Sequence, residues 1–155
     1  MRLTFLWPGR TKNPELRALQ ELFAARIQAL TPCRVVETRT ARGMDEKLAG
    51  KIKEIEAQGL ERHLAGAYVV CLGDQGQEMT SQGFARFLRD RERDSGREPA
   101  FVVGGFLGLA DRLVAKADLV LSLSRLTFSH ELCRVVLLEQ VYRALATNRG
   151  RRYAK

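Results

Sequence analysis

Two histidines, three cysteines and one tryptophan are all that this sequence of 155 residues offers of those types, and it holds no long apolar run. The longest, such as Ala67 to Leu72 and Leu119 to Leu123, fall far short of the roughly 20 residues a membrane span needs. No transmembrane segment is therefore expected. Met1 to Pro8 is too short an apolar stretch for a signal peptide and has no small-residue cleavage site, so it reads as a first strand. Cys33, Cys71 and Cys133 stand singly in apolar segments, which argues against a disulfide framework and for small buried hydrophobes in a reducing cytoplasm. No histidine or cysteine pair has ligand spacing, and no nucleophile motif has a base nearby, so neither a metal centre nor covalent catalysis is expected.

Negative charge is also in short supply. Eighteen Asp and Glu face 26 Lys and Arg, a net charge of +8 that favours an anionic partner such as nucleic acid. Hydrophobic residues at 45% and charged residues at 28% are the balance of an ordinary globule. The length suits one domain over residues 1–155, able to bury roughly 70% of its unfolded surface without a metal or disulfide. No linker, repeat or low-complexity stretch interrupts it.

Apolar spacing predicts five strand-and-helix steps. Arg2 to Trp7 is a strand, and Leu16, Leu19, Leu22, Phe23, Ile27 and Leu30 mark a helix from Pro14 that Pro32 ends. Cys33 to Thr38 is a second strand, and a basic loop with Arg39, Arg42 and Gly43 leads to a charged helix near Asp45 to Ala57. Ala67 to Leu72 is the third strand, with turn residues Gly73, Asp74 and Gly76 behind it. A helix from Ser81 ends in Asp94, Ser95 and Gly96. Ala100 to Val103, Leu109 to Ala115, Ala117 to Leu123 and Glu131 to Asn148 complete the order as strand, helix, strand, helix. Strands that are apolar throughout imply an α/β fold with a mostly parallel sheet of five to six strands and helices on both faces. Ligands bind such sheets beyond the carboxyl ends of the strands, which selects the loops after Leu72, Val103 and Leu123.

Each candidate has a plainer account beside it. Gly104, Gly105 and Gly108 follow an apolar strand, where a backbone can approach a ligand closely; a tight strand-to-helix turn explains them equally. Their spacing is not the dinucleotide fingerprint, which sets NAD aside. In the string Ser124, Arg125, Leu126, Thr127, Phe128, Ser129, His130, Glu131, the serine at 129 is an N-cap and Glu131 complements the helix dipole. His130 sits at the ligand-binding edge, as a catalyst or as a structural hydrogen-bonder. The last helix is apolar over Leu132, Val135, Val136, Leu137, Leu138, Val141, Tyr142 and Leu145, enough for burial on two sides by a second subunit or inside a monomer. The tail Arg149, Gly150, Arg151, Arg152, Tyr153, Ala154, Lys155 can hold phosphate and stack a base, or simply be solvated.

The strings Phe101-Val-Val-Gly-Gly-Phe-Leu-Gly108, Leu121-Ser-Leu-Ser-Arg-Leu-Thr-Phe-Ser-His-Glu-Leu-Cys-Arg134 and Leu137-Leu-Glu-Gln-Val-Tyr-Arg-Ala144 resemble the RlmH family of SPOUT methyltransferases, over the whole chain. The resemblance implies methyl transfer from S-adenosylmethionine to N3 of a pseudouridine in large-subunit ribosomal RNA, within the ribosome. It implies a homodimer with a carboxyl-terminal trefoil knot. It places the cofactor at Leu72, Gly104 and Gly105 and along Ser124, Arg125, Leu126, Thr127, Phe128 and Ser129, the loops already selected by the sheet edge. Tyr153 would place the target base, Arg134 and the tail cations would meet RNA or stabilise an anion, and His130 would add a supporting hydrogen bond. The family's chain commonly closes with Tyr-His, whereas Ala154 follows Tyr153 here, so no residue is assigned to the N3 proton. A non-catalytic RNA-binding relative is the alternative, separated by the absence of methyl transfer. A small-molecule enzyme on a similar sheet is another, and it would not need the basic tail.

Overall fold

A computed structural model describes residues 1–41, 43–94 and 96–153. Arg42 of the basic loop, Ser95 of the polar stretch, and Ala154 and Lys155 of the tail lie outside the described residues. Five strands, β1 (Leu3–Pro8), β2 (Cys33–Thr38), β3 (Tyr68–Glu78), β4 (Pro99–Val102) and β5 (Leu119–Ser122), form one sheet in the order β2-β1-β4-β3-β5. Every pairing is parallel. The expected α/β architecture is therefore present, with five strands.

The helices α1 (Pro14–Gln28), α2 (Ala49–Glu61), α3 (Ser81–Arg93), α4 (Asp111–Ala115) and α5 (His130–Asn148) divide between the two faces. Side chains alternate along each strand. Leu3, Phe5 and Trp7 of β1, Val70 and Phe101 therefore point to a core completed by Phe23 and Ile27 of α1, Phe84 and Leu88 of α3, and Leu137, Leu138, Val141 and Leu145 of α5. Leu6, Cys71 and Val102 point the other way, to Ala57 and Leu60 of α2 and Leu113 of α4. Sequence signals fix the helix starts: Asn13 accepts the Leu16 N–H ahead of Pro14, Thr80 accepts the Gly83 N–H, and Ser129 caps α5. Asp45 caps a 3₁₀ turn, Glu46–Leu48, that runs into α2. The charged helix thus starts four residues later than its charge pattern predicts.

β3 departs further from expectation. The turn residues after Leu72 do not end the strand; both Leu72 and Gln77 align with Leu121 of β5, and the chain between them loops out. Ser122 Oγ donates to the Asp74 carbonyl and Thr127 Oγ1 to the Asp74 carboxylate at 2.9 Å, holding this loop against the exit of β5. A Cβ at Gly76 would lie 2.5 Å from the Val120 carbonyl oxygen, so only glycine fits there. Gly76→Ala is expected to lose about 1–3 kcal/mol of stability through this overlap, read from the urea midpoint.

Candidate functional site

The connections leave the sheet on alternating sides, and that opens its carboxyl edge. β4 leads to α4 on one face, while β3 and β1 on either side lead to α3 and α1 on the other. Diverging connections leave a crevice at each such seam. Above the β4/β3 seam, and extending to β5, lies a cavity of about 630 Å³. Leu72, Gly104, Gly105 and Ser124 line it, followed by Leu126, Thr127, Phe128, Ser129 and His130. Leu121 and Leu123 add apolar wall, while the exposed Phe106 and Leu126 stand among its lining residues.

Gly104 and Gly105 differ in what they permit. A Cβ on Gly104 would lie 2.6 Å from the Gly108 carbonyl carbon, because the loop folds back on itself through the Gly108 N–H to Gly105 carbonyl bond. A Cβ on Gly105 would instead meet the Glu56 carboxylate at 3.2 Å and Pro8 at 3.5 Å. The first glycine is needed by the loop itself, whereas a side chain at the second would press on the carboxylate end of a neighbouring acid. The volume and mixed lining suit a nucleoside-sized ligand bound through backbone groups and apolar contact. Gly108 of the expected glycine loop belongs to this wall with Phe106 and Leu107, while Asp74 and Leu109 line it without having been expected as site residues. The one usable signal for Asp74 was its position in a glycine-flanked turn after an apolar strand.

Three expected site residues lie elsewhere. Arg125 is 88% exposed at its side chain and pairs with Glu78 at 2.8 Å, away from the cavity. Arg134 is 1% exposed. Its terminal nitrogens donate to the carbonyls of Pro8 and Gly9 and to Thr11 Oγ1 at 2.8–3.0 Å, and its guanidinium lies over the Trp7 ring. The expectation that Arg134 meets RNA directly is corrected on that ground: a sealed guanidinium reaches no phosphate. Burial pulls it down to about 10, and Glu131 and Glu37 oppose that pull, so it stays charged at neutral pH. Tyr153 packs edge-on against Tyr142 with centroids 5.0 Å apart, carries Arg143 over its ring, and is hydrogen-bonded to Glu139. Tyr142 is twelve residues beyond His130 on α5, or about 18 Å along a helix rising 1.5 Å per residue.

The tail cations also divide. Arg149 donates to Thr31 and Glu92, which assigns it to holding the end of α5 rather than to RNA, against expectation. Arg151 and Arg152 are exposed. His130 is half-buried and lines the cavity; desolvation first, then Arg134, hold its imidazole below the ordinary value, which favours the neutral form at pH 7. Burial lifts the Cys71 thiol to about 12 and Cys133 to about 11, which leaves both unreactive. Among the described residues no cluster of three or more His, Cys, Asp or Glu could hold a metal ion.

Glu131 ties this region to the loop after β1. Its carboxylate accepts the N–H groups of Lys12 and Asn13 at 2.9 and 3.0 Å. Desolvation raises this carboxyl, but the two N–H groups and the nearby cations outweigh it and leave it below the ordinary value. A depressed folded value contributes stability above the unfolded value of about 4.3, and the contribution disappears as pH falls through the folded value. Glu131→Gln is expected to cost about 1–2 kcal/mol at pH 7 and almost nothing near pH 2, measured by chemical denaturation at both.

Comparison with known proteins places the fold. The profile of a family described as predicted SPOUT methyltransferase matches residues 1–154. A Geobacter metallireducens protein named Ribosomal RNA large subunit methyltransferase H is 37% identical over 154 residues, covering 99% of this chain and 98% of that one. A protein of the same name from Bifidobacterium animalis is 33% identical over 159 residues, with both chains fully covered. Among solved structures, a probable methyltransferase from Bordetella pertussis superposes with a TM-score of 0.56 at 14% identity, over 93% of this chain and 95% of that one. A probable methylase family protein from Haemophilus influenzae reaches the same score at 9% identity, over 99% of this chain and 70% of that one, a likeness of fold. The parallel sheet, the glycine-lined cavity at its carboxyl edge and the full-length match together establish that this chain belongs to the SPOUT methyltransferase family.

Proposed function

We propose that this protein transfers the methyl group of S-adenosylmethionine to N3 of a pseudouridine in large-subunit ribosomal RNA. The observation that carries the reading is the cavity over β4, β3 and β5, built from the residues that the family resemblance assigns to the cofactor, in a chain that matches relatives named for this activity end to end. S-adenosylmethionine supplies an electrophilic methyl carbon when bound. The chain supplies the rest: Gly104 and Gly105 keep the loop close, Leu72, Leu121 and Leu123 exclude water, and Ser124 to Ser129 offer backbone and hydroxyl groups. A carboxyl-terminal trefoil knot belongs to the same reading.

A homodimer follows from where Tyr153 stands. It lies far along α5 from the cavity of its own chain, so a tyrosine that places the target base does so from a second copy. Leu19 and Leu22 of α1 and Leu132 of α5 are about 40% exposed and offer an apolar strip for that copy to cover. The neighbouring cavity of about 470 Å³, with Arg10 and Lys12 in its lining, supplies positive charge for RNA beside the cofactor, and Arg151 and Arg152 supply it from the tail, whereas Arg17 in the same lining is paired with Glu21 and Glu37. The work takes place in the cytoplasm, where ribosomes are found, and no helix among the described residues is long and apolar enough to cross a membrane.

The test is mass spectrometry of rRNA nucleosides after incubation with ribosomes and labelled S-adenosylmethionine. A labelled N3-methylpseudouridine is expected; binding of ribosomes and cofactor with no label in the RNA would favour a non-catalytic relative. Light scattering at micromolar protein is expected to give twice the chain mass. Deleting residues 151–155 is expected to abolish methyl transfer and leave cofactor binding by calorimetry unchanged. Replacing Arg151 and Arg152 together by Gln is expected to reduce the salt slope of RNA binding by about 1.5–2.

A further inference from the structure

One buried acid at this edge has no described partner. Glu56 of α2 is 7% exposed, and no hydrogen bond or ion pair engages its carboxylate among the described residues. Its oxygens are not among the sealed side-chain atoms that lack a partner, so they retain a solvent-facing edge. They lie 3.2 and 3.5 Å from where a Cβ of Gly105 would stand, a point itself 3.5 Å from Pro8 Cγ. Pro8 ends β1 and Gly105 follows β4, so the carboxylate sits at the β1/β4 seam.

That seam borders the cofactor cavity at Gly105, with Glu56 and Pro8 just outside the cavity's lining. The cofactor cavity occupies the β4/β3 seam and extends to β5; connections also diverge at β1/β4 and β2/β1, and of these β1/β4 adjoins the cavity through Gly105. Gly105 is shared between the β4/β3 and β1/β4 seams, lining the cavity on one side and meeting Glu56 on the other. The cations Arg10 and Lys12 follow directly from β1, with the second cavity among them, and offer phosphate contacts at the same end. The methyl acceptor is an imide nitrogen that must give up a proton as it gains a methyl group. The sequence offers no tail histidine to take that proton.

We propose that Glu56 is the group that accepts the N3 proton of the target base, which enters over the β1/β4 seam. This inference rests on the rRNA methyltransferase reading above. The balance closes: the N3–H bond breaks and its proton goes to the carboxylate, the N3 electron pair forms the bond to the methyl carbon, and the carbon–sulfur pair stays on sulfur as a thioether. Water at the solvent edge then takes the proton from Glu56. Burial holds this carboxyl above its ordinary value, opposed by the charge of Arg134 from α5, so its basicity is closer to neutral pH than that of a solvated glutamate. Pro8 from β1 and Gly105 from the β4 loop bring no charge to it.

Glu56→Gln keeps the shape of the side chain and removes the base. With ribosomes and labelled cofactor, this variant is expected to lose methyl transfer by about 10²-fold or more. Cofactor affinity by calorimetry and ribosome binding should stay within about twofold of the wild type, as base removal alone touches neither. The wild-type rate is expected to rise with pH through an acidic limb that the Gln variant lacks, and formate is expected to restore rate to Glu56→Ala. A Gln variant with the wild-type rate and pH profile overturns the proposal, as does one that loses cofactor or ribosome binding in step with rate. Failure of formate to rescue Glu56→Ala while that variant still binds both also counts against it. A wild-type protein that transfers no methyl to rRNA overturns the activity reading and this inference together.

Discussion

A guanidinium taken out of water needs all the acceptors it can reach, and Arg134 finds them in the turn that follows the first strand. Removing such a group from solvent carries a large desolvation cost, recovered only where carbonyls and hydroxyls replace the lost water. Pro8, Gly9 and Thr11 supply those acceptors, and the Trp7 ring supplies a face. Glu131, three residues earlier on the same helix, takes the next two N–H groups of that turn. The first turns of α5 are therefore fastened to the exit of β1 by opposite charges at adjacent points. Thr11 passes the connection on to Gln20, and Glu37 to Trp7, Thr11 and Arg17, so the loop is held from three directions.

The layout of the edge depends on this fastening. α5 begins where the 123–129 segment ends, and that segment is one wall of the cavity. With α5 fixed to β1, the wall from β5 and the basic turn from β1 stand on either side of the β4 loop. Under the proposed function, cofactor and acceptor would meet over β4. The same fastening makes Arg134 unavailable to RNA: its side chain is committed to the backbone beneath the site, and cations free of such duty, Arg10 and Lys12, face outward in its place.

Local chemistry made most of this legible. Five apolar strands, glycines after the fourth and a serine cap before the last helix were readable because each obeys a rule that acts within a few residues. The cavity loops were found twice, through the sheet edge and through the family strings, since ligand sites in parallel sheets follow from strand direction. What escaped depends on distant parts of the chain. Arg134 looks like any cation on a helix until β1 is seen to offer its carbonyls, and Arg149 looks like tail until Thr31 and Glu92 are seen beside it. The β3 extension escaped because Gly73, Asp74 and Gly76 carry turn chemistry, and the loop-out keeps that chemistry while the strand resumes beyond it.

Glu56 shows the same limit from the opposite side. In sequence it is one acid among several on a charged helix, and nothing near it marks it as buried. In the fold it stands at a seam with Arg134 close enough to act on it electrostatically, yet the two do not join. A buried pair so placed would ordinarily close into a salt bridge, because leaving both partly unsatisfied is costly. Arg134 instead spends its terminal nitrogens on backbone and keeps Nε sealed without a partner, while Glu56 keeps its solvent edge. Natural sequences depart from local consistency mainly where function requires it. An acid held close to a cation but apart from it, beneath a glycine shared with the cofactor cavity, retains its proton-accepting capacity for a ligand that arrives from outside.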